Sequence, residues 1–182
     1  MIQNRQRRVS VSLEPLEGFL AQICVRLKLS PDALEVCFVS DAAMARWNQE
    51  YRGKPGPTDV LSFPADGTVT RNGGESSGNQ KSKKVLRPGE TGKAGRFHTA
   101  ARPRTARIDA GTKSPVPDYL GDVAISPETA RRNARRFGRT LPQELKILLL
   151  HGVLHLMGYD HESDNGQMER RESRLRRQLG LA

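Results

Sequence analysis

The chain has 182 residues, 36% hydrophobic and 27% charged, and its 30 Lys and Arg against 20 Asp and Glu give a formal net charge of +10. That length suits one domain with a real core and is marginal for two. No apolar run exceeds the four residues of Ile147 to Leu150, against roughly 20 for a membrane span; no apolar segment follows the basic N-terminus to make a secretory signal; and Cys24 and Cys37, without CxxC spacing, exclude a disulfide scaffold and read as small buried apolar residues. The expectation is a soluble, cytoplasmic protein with no membrane segment.

The first elements follow from periodicity. Leu13, Leu16, Phe19, Leu20, Ile23 and Leu27 recur at helical spacing and predict an amphipathic helix over about 13–28. Leu34 to Val39 is a short β-rich run. Asp41 to Glu50 reads as a short helix behind a cap at Ser40, and Val60 to Phe63 as a strand stopped by Pro64.

The middle of the chain is different in kind. Residues 66–117 hold eight of the 17 glycines, one aromatic (Phe97), and eleven Lys and Arg against four acids, a net +7. Such a segment buries too little apolar surface to offset its chain entropy. It reads as a disordered, basic, Gly-rich insertion in a single domain spanning 1–182, although a structureless loop of that length is unusual in a compact fold. Basic charge of this size favours a polyanionic partner such as nucleic acid. A solubilising insert and an RNA-contacting arm both remain open.

After the insertion, Tyr119 to Ile125 reads as a strand. Ser126-Pro127 is a cap followed by Pro at the first helical position, opening a helix to about Phe137. Thr140 with Gln143 forms a capping box for a helix that runs to Met157 and ends at Gly158. A last helix spans about Asp164 to Leu179. The sum is an α+β fold: a small mixed sheet packed with helices.

Three of the four histidines lie in HGVLHLMGYDH, as His151, His155 and His161. The first two are i and i+4 and project from one helix face about 40° apart. Their helix is apolar nearly all round (Leu145, Ile147 to Leu150, Val153, Leu154, Leu156, Met157), as a buried helix is. Buried imidazoles need partners, and Gly158 can turn the chain back so that His161 reaches the same point. Three neutral imidazoles with one position left open describe a catalytic zinc site. The spacing matches the metzincin pattern H-E-x-x-H-x-x-G-x-x-H in every ligand position and in the glycine, but the Glu that serves proteolysis as general base is Gly152 here. The fourth histidine, His98, lies in the insertion and is not expected as a ligand.

A second stretch, NQEYRGKPGPTDVLSFP (Asn48 to Pro64), is a Gly/Pro-rich turn feeding a strand. Arg52 and Lys54 can meet a phosphate there, with Thr58 and Asp59 orienting them or capping the turn.

YRGKPGPTDVLSFP, LGDVAIS (Leu120 to Ser126) and ELKILLLHGVLHLMGYDHE (Glu144 to Glu162) together resemble the YbeY family, the bacterial single-strand-specific endoribonucleases and ribosomal RNA maturation factors. The resemblance covers most of 9–65 and 118–180. It implies a zincin-like α+β fold, one Zn²⁺ per chain on the positions matching His151, His155 and His161, and a functionally important arginine at the position matching Arg52. It also implies an rRNA substrate on the small ribosomal subunit, with roles in 16S rRNA 3′ end processing and ribosome quality control. Two departures stand out: the 66–117 stretch is much longer than the family usually carries between these strands, and Pro55 stands where members often have Asp.

On this reading the metal acts as a Lewis acid on the scissile phosphate, and Arg52 stabilises charge on the non-bridging oxygens. No general base is evident; Asp160 can equally be a partner that holds an imidazole. Trp47, Tyr51 and Phe63 are either packing residues or a stacking surface for bases. Two other functions stay open: a zinc hydrolase of a peptide or amide, and a non-enzymatic rRNA-binding assembly factor whose structural zinc is closed by Asp160 or Glu162.

Overall fold

The computed structural model describes residues 1–65, 119–160 and 164–181. The insertion expected at 66–117, with His98, and the candidates His161 and Glu162 lie outside the described residues.

Among these, nine elements form. In chain order they are β1 (Ile2–Asn4), α1 (Glu14–Leu27), β2 (Leu34–Phe38), α2 (Asp41–Arg52), β3 (Val60–Pro64), β4 (Gly121–Ile125), α3 (Pro127–Arg136), α4 (Leu141–Leu156) and α5 (Gln167–Gln178). The sheet runs β1-β2-β4-β3. β1 and β4 flank β2 in parallel, and β3 lies antiparallel to β4 with Val60 opposite Ile125 and Pro64 opposite Gly121. This is the mixed α+β class expected. No helix among the described residues is long and apolar enough to cross a membrane.

The caps stand where side-chain chemistry puts them. Ser40, Ser126 and Thr140 accept from the backbone N–H groups of Ala43, Thr129 and Gln143, and Thr140 with Gln143 closes the capping box. Several boundaries differ from expectation: α2 runs on to Arg52, two residues past Glu50, and β2 stops at Phe38. Pro64 closes β3 rather than standing beyond it, which an edge strand tolerates. The strand begins at Gly121, not Tyr119. α5 begins at Gln167 because Asn165 and Gly166 both take positive φ (53° and 78°), breaking the helix before it can start at Asp164. Asp164 instead accepts from the Met168 N–H at 2.7 Å. β1 has no counterpart in the sequence reading. It is three residues long, and only the pairing of Ile2 with Val36 makes it a strand.

The core gathers around α4, which packs against β3, β4, α1, α3 and α5. Leu145, Leu149, Leu150, Val153 and Leu154 are essentially inaccessible, so the near-continuous apolar pattern reflects neighbours on most sides. The closest approach to the sheet is at Gly152. A Cβ there would fall 2.6 Å from Val123 Cγ1 and 3.4 Å from Val60 Cγ2. Beside it, Ser62 Oγ donates to the Gly152 carbonyl at 3.0 Å, pinning the helix to β3.

Two carboxylates tie α2 and the segment after it to α3. Asp41, in the first turn of α2, accepts from Ser126 and from Thr129 Oγ1 (2.8 Å) and pairs with Arg132 (2.8 Å), while its own N–H donates to Glu128. Asp59 accepts from the Val60 N–H (2.9 Å), Thr58 Oγ1 (3.1 Å) and Asn133 Nδ2 (2.9 Å). The N-termini of α2 and α3 are thereby clasped together, and the segment from Arg52 to Val60 is anchored at its far end.

Candidate functional site

His151 and His155 occupy the last turns of α4 and are half-buried, while their helix neighbours Gly152, Val153, Leu154 and Leu156 are buried. Helical geometry brings their rings together, with planes 75° apart and Nε2 facing Nε2 at 3.0 Å. On its other side His151 Nδ1 lies 3.1 Å from Glu172 Oε2 of α5. An ionised carboxylate only accepts, so His151 Nδ1 carries the proton and donates it. In the neutral ring Nε2 is then an acceptor, and it faces His155 Nε2.

This arrangement fits a metal such as zinc. Bonds of 2.0–2.1 Å in tetrahedral geometry put two ligand nitrogens about 3.3 Å apart, close to the separation here. A carboxylate behind the outer nitrogen is the usual partner of a metal-bound imidazole. No group of three His, Cys, Asp or Glu able to hold a metal is assembled among the described residues; His161, the third ligand expected, lies outside them. Gly158, at φ 85°, ends α4 in the left-handed conformation and turns the chain away from the helix axis after His155.

Glu172 escaped the sequence reading. Burial pushes its carboxyl up, but the hydrogen bond from His151 and the charge and hydrogen bond of Arg176 one helical turn away outweigh that and hold it below its ordinary value. A signal was present. Met168, Glu172, Leu175 and Leu179 form the inward stripe of the last helix, and a lone acid in such a stripe implies a partner. At His151 the carboxylate partner is Glu172; holding an imidazole remains one of the roles open to Asp160. Asp160 itself is half-buried, its carbonyl accepting from the Asp164 N–H.

Arg52 is the last residue of α2 and half-buried. Among the described residues its side chain makes no hydrogen bond or ion pair, neither with a histidine nor with the turn that follows it. The packing around it leads to β3: Tyr51 and Trp47 meet Phe63 edge-on at centroid distances of 5.1 and 6.1 Å. These rings pack on one another and are half-buried. Phe63 is followed outward by the end of β3 and preceded by Ser62, which holds Gly152, the neighbour of His151. The α2 terminus and the histidine helix are thus both built onto β3. Lys54 is exposed in the turn.

Both cysteines are free and buried, away from this chemistry. Burial pushes the Cys37 thiol up to about 11, as befits an inert packing residue.

A family model described as endoribonuclease YbeY matches residues 1–180. The endoribonuclease YbeY of Solibacter usitatus (strain Ellin6076) is 36% identical over 147 residues, 81% of this chain and 66% of the relative, so the chain spans about two thirds of that protein's length. The endoribonuclease YbeY of Jannaschia sp. (strain CCS1) is 33% identical over 172 residues, covering 90% of this chain and 86% of the relative. Among solved structures, the solution structure of TM1509 from Thermotoga maritima matches with a TM-score of 0.51 at 23% identity, over 98% of this chain and 89% of that one. That last likeness concerns the fold alone.

Proposed function

The chain belongs to the YbeY family of endoribonucleases, hydrolases of RNA phosphodiester bonds, and we propose that it cleaves single-stranded RNA with one zinc held by His151, His155 and His161. The substrate on this reading is ribosomal RNA in the cytoplasm, at the 3′ end of 16S rRNA during small-subunit maturation and ribosome quality control. The observation that carries the proposal is the pair of Nε2 atoms converging at 3.0 Å with a carboxylate behind one of them.

Zinc bound there supplies Lewis acidity toward a phosphate oxygen or water. His151 and His155 present neutral nitrogen donors from one rigid helix, which fixes their separation before any substrate arrives. Arg52 offers a planar fork of donors to the scissile phosphate and stabilises the charge that builds on its non-bridging oxygens. Its side chain has no competing carboxylate among the described residues, so pairing with phosphate breaks no existing bond.

The peptide or amide hydrolase reading is weakened by Gly152. The position that would carry a proteolytic base lies against Val123 and Val60, with no room for a side chain. The structural-zinc reading differs by its fourth ligand. Purified protein should contain about one zinc per chain and cut a defined single-stranded RNA, with cutting abolished by chelator and restored by zinc. Arg52→Ala should keep the zinc and the melting temperature while cleavage falls by about 10²-fold or more, and Arg52→Lys should restore it only partly. Full zinc content without RNA cleavage under any of these conditions would favour the structural site.

A further inference from the structure

We propose that Glu172 is a positioning residue for the histidine pair: it holds His151 in the tautomer that keeps its proton on Nδ1 and its lone pair on Nε2, the metal-facing nitrogen, and Arg176 holds Glu172 in turn. This rests on the reading of His151 as a metal ligand.

Three observations converge. First, Glu172 occupies the inward stripe of α5 between Met168 and Leu175, both buried, and is itself only 8% exposed. Packing alone asks for an apolar residue there, and replacing a buried ion pair by well-packed apolar side chains is often neutral or stabilising. The acid is therefore not explained by the core it sits in. Second, its two oxygens have separate tasks. Oε2 faces His151 Nδ1 at 3.1 Å, and Oε1 takes the guanidinium of Arg176. With both ends engaged the carboxylate cannot rotate to another partner, so the direction of the Nδ1–H bond is set, and with it the orientation of the ring. Third, the acceptor is on a different helix from the histidine, 21 residues away in sequence. α5 thus contributes to the site although it carries none of the expected ligands.

The consequence is chemical. Without Glu172, His151 is free to place its proton on Nε2, and each binding event must first move that proton. With Glu172 the proton already sits on Nδ1 and Nε2 keeps its lone pair, and the ring's basicity is raised by the carboxylate behind it.

The test uses the full chain, the variants Glu172→Leu and Glu172→Gln, and three measurements. Imidazole ¹⁵N shifts of the metal-free protein at about pH 8.5, above the ordinary imidazole pKa, report the tautomer. Competition with a chromophoric chelator gives the zinc affinity, and thermal unfolding gives stability. Wild type should show His151 protonated on Nδ1. Glu172→Leu should shift it toward Nε2 and weaken zinc binding by about 10–100-fold, together with a fall in melting temperature because Arg176 loses its partner; Glu172→Gln, whose amide oxygen still accepts, should fall between. A wild-type His151 carrying its proton on Nε2 would overturn the proposal, and that measurement needs no variant to fold. So would a Glu172→Leu protein that loses stability while keeping both tautomer and zinc affinity, since a purely structural acid behaves that way. If the wild type itself takes up no zinc, the metal reading falls and the role of Glu172 toward a metal falls with it. If the wild type binds zinc and Glu172→Leu binds it equally, the positioning role alone is wrong.

Discussion

Replacing Gly152 by Ala tests how tightly the histidine helix is seated on the sheet. In an open helix interior the change would stabilise by about 1 kcal/mol, because Ala loses less conformational entropy than Gly. Here the new Cβ would lie 2.6 Å from Val123 Cγ1 and 3.2 Å from its Cγ2, against an optimal carbon separation of about 3.5–4.0 Å. Val123 cannot move aside. It is 1% exposed on β4, a strand paired on both sides, and its β-branched side chain is stiff at χ1. The helix must retreat, straining the Ser62 bond to the Gly152 carbonyl. Overpacking of this kind costs about 1–3 kcal/mol, and the severity of the contact puts it at the upper end. The net should be a destabilisation of about 1–2 kcal/mol, a fall in melting temperature of about 2–8 °C. A double-mutant cycle with Val123→Ala isolates the contact. Once both Cγ atoms are gone, Gly152→Ala should be neutral or stabilising, leaving a coupling of about 1–2 kcal/mol. Urea and thermal unfolding of the four proteins measure it. A Gly152→Ala protein more stable than wild type, or an equal effect in both Val123 backgrounds, would show that α4 does not press on β4 as described.

His151→Ala and His155→Ala should each abolish tight zinc binding, read by metal analysis after dialysis; full occupancy in the double variant would remove the pair from the metal site. Burial pushes the Asp41 carboxyl up, but hydrogen bonds from Ser126, Arg132 and Thr129 and the Arg132 charge outweigh it and hold it below its ordinary value of 3.8. A carboxyl depressed in the folded state contributes stability that is complete above its unfolded pKa and is lost as pH falls through the folded one. The stability gap between wild type and Asp41→Asn should therefore be constant near neutrality and close as pH drops below about 4, as melts from about pH 7 down to pH 3 would record; a gap that widens on acidification contradicts the sign. Cys24 and Cys37, buried and with raised thiol pKa values, should resist a thiol reagent at neutral pH until denaturant is added, and rapid labelling of the native protein would show that the core around α1 and β2 opens.

The features legible in the sequence were those decided within a few residues of chain. Ser40, Ser126 and Thr140 cap helices because a side-chain oxygen reaches N–H groups three positions on, a distance that no tertiary contact alters. Spacing alone put His151 and His155 on one face of an apolar helix, since four residues make just over one turn, and the same stretch carried the likeness to the YbeY family. What the sequence left open was set by partners remote along the chain. β1 is a strand only because Ile2–Asn4 lies beside Val36–Phe38. Gly152 read as a missing catalytic base; the sheet shows it to be a point of contact, where Val123 leaves no space for a side chain. Glu172 went unnoticed in the last helix, and its meaning comes from His151 on α4, 21 residues earlier. Hydrogen bonds and close contacts between elements depend on how those elements dock. Docking follows from the packing of the whole core around α4, which no local window of residues contains.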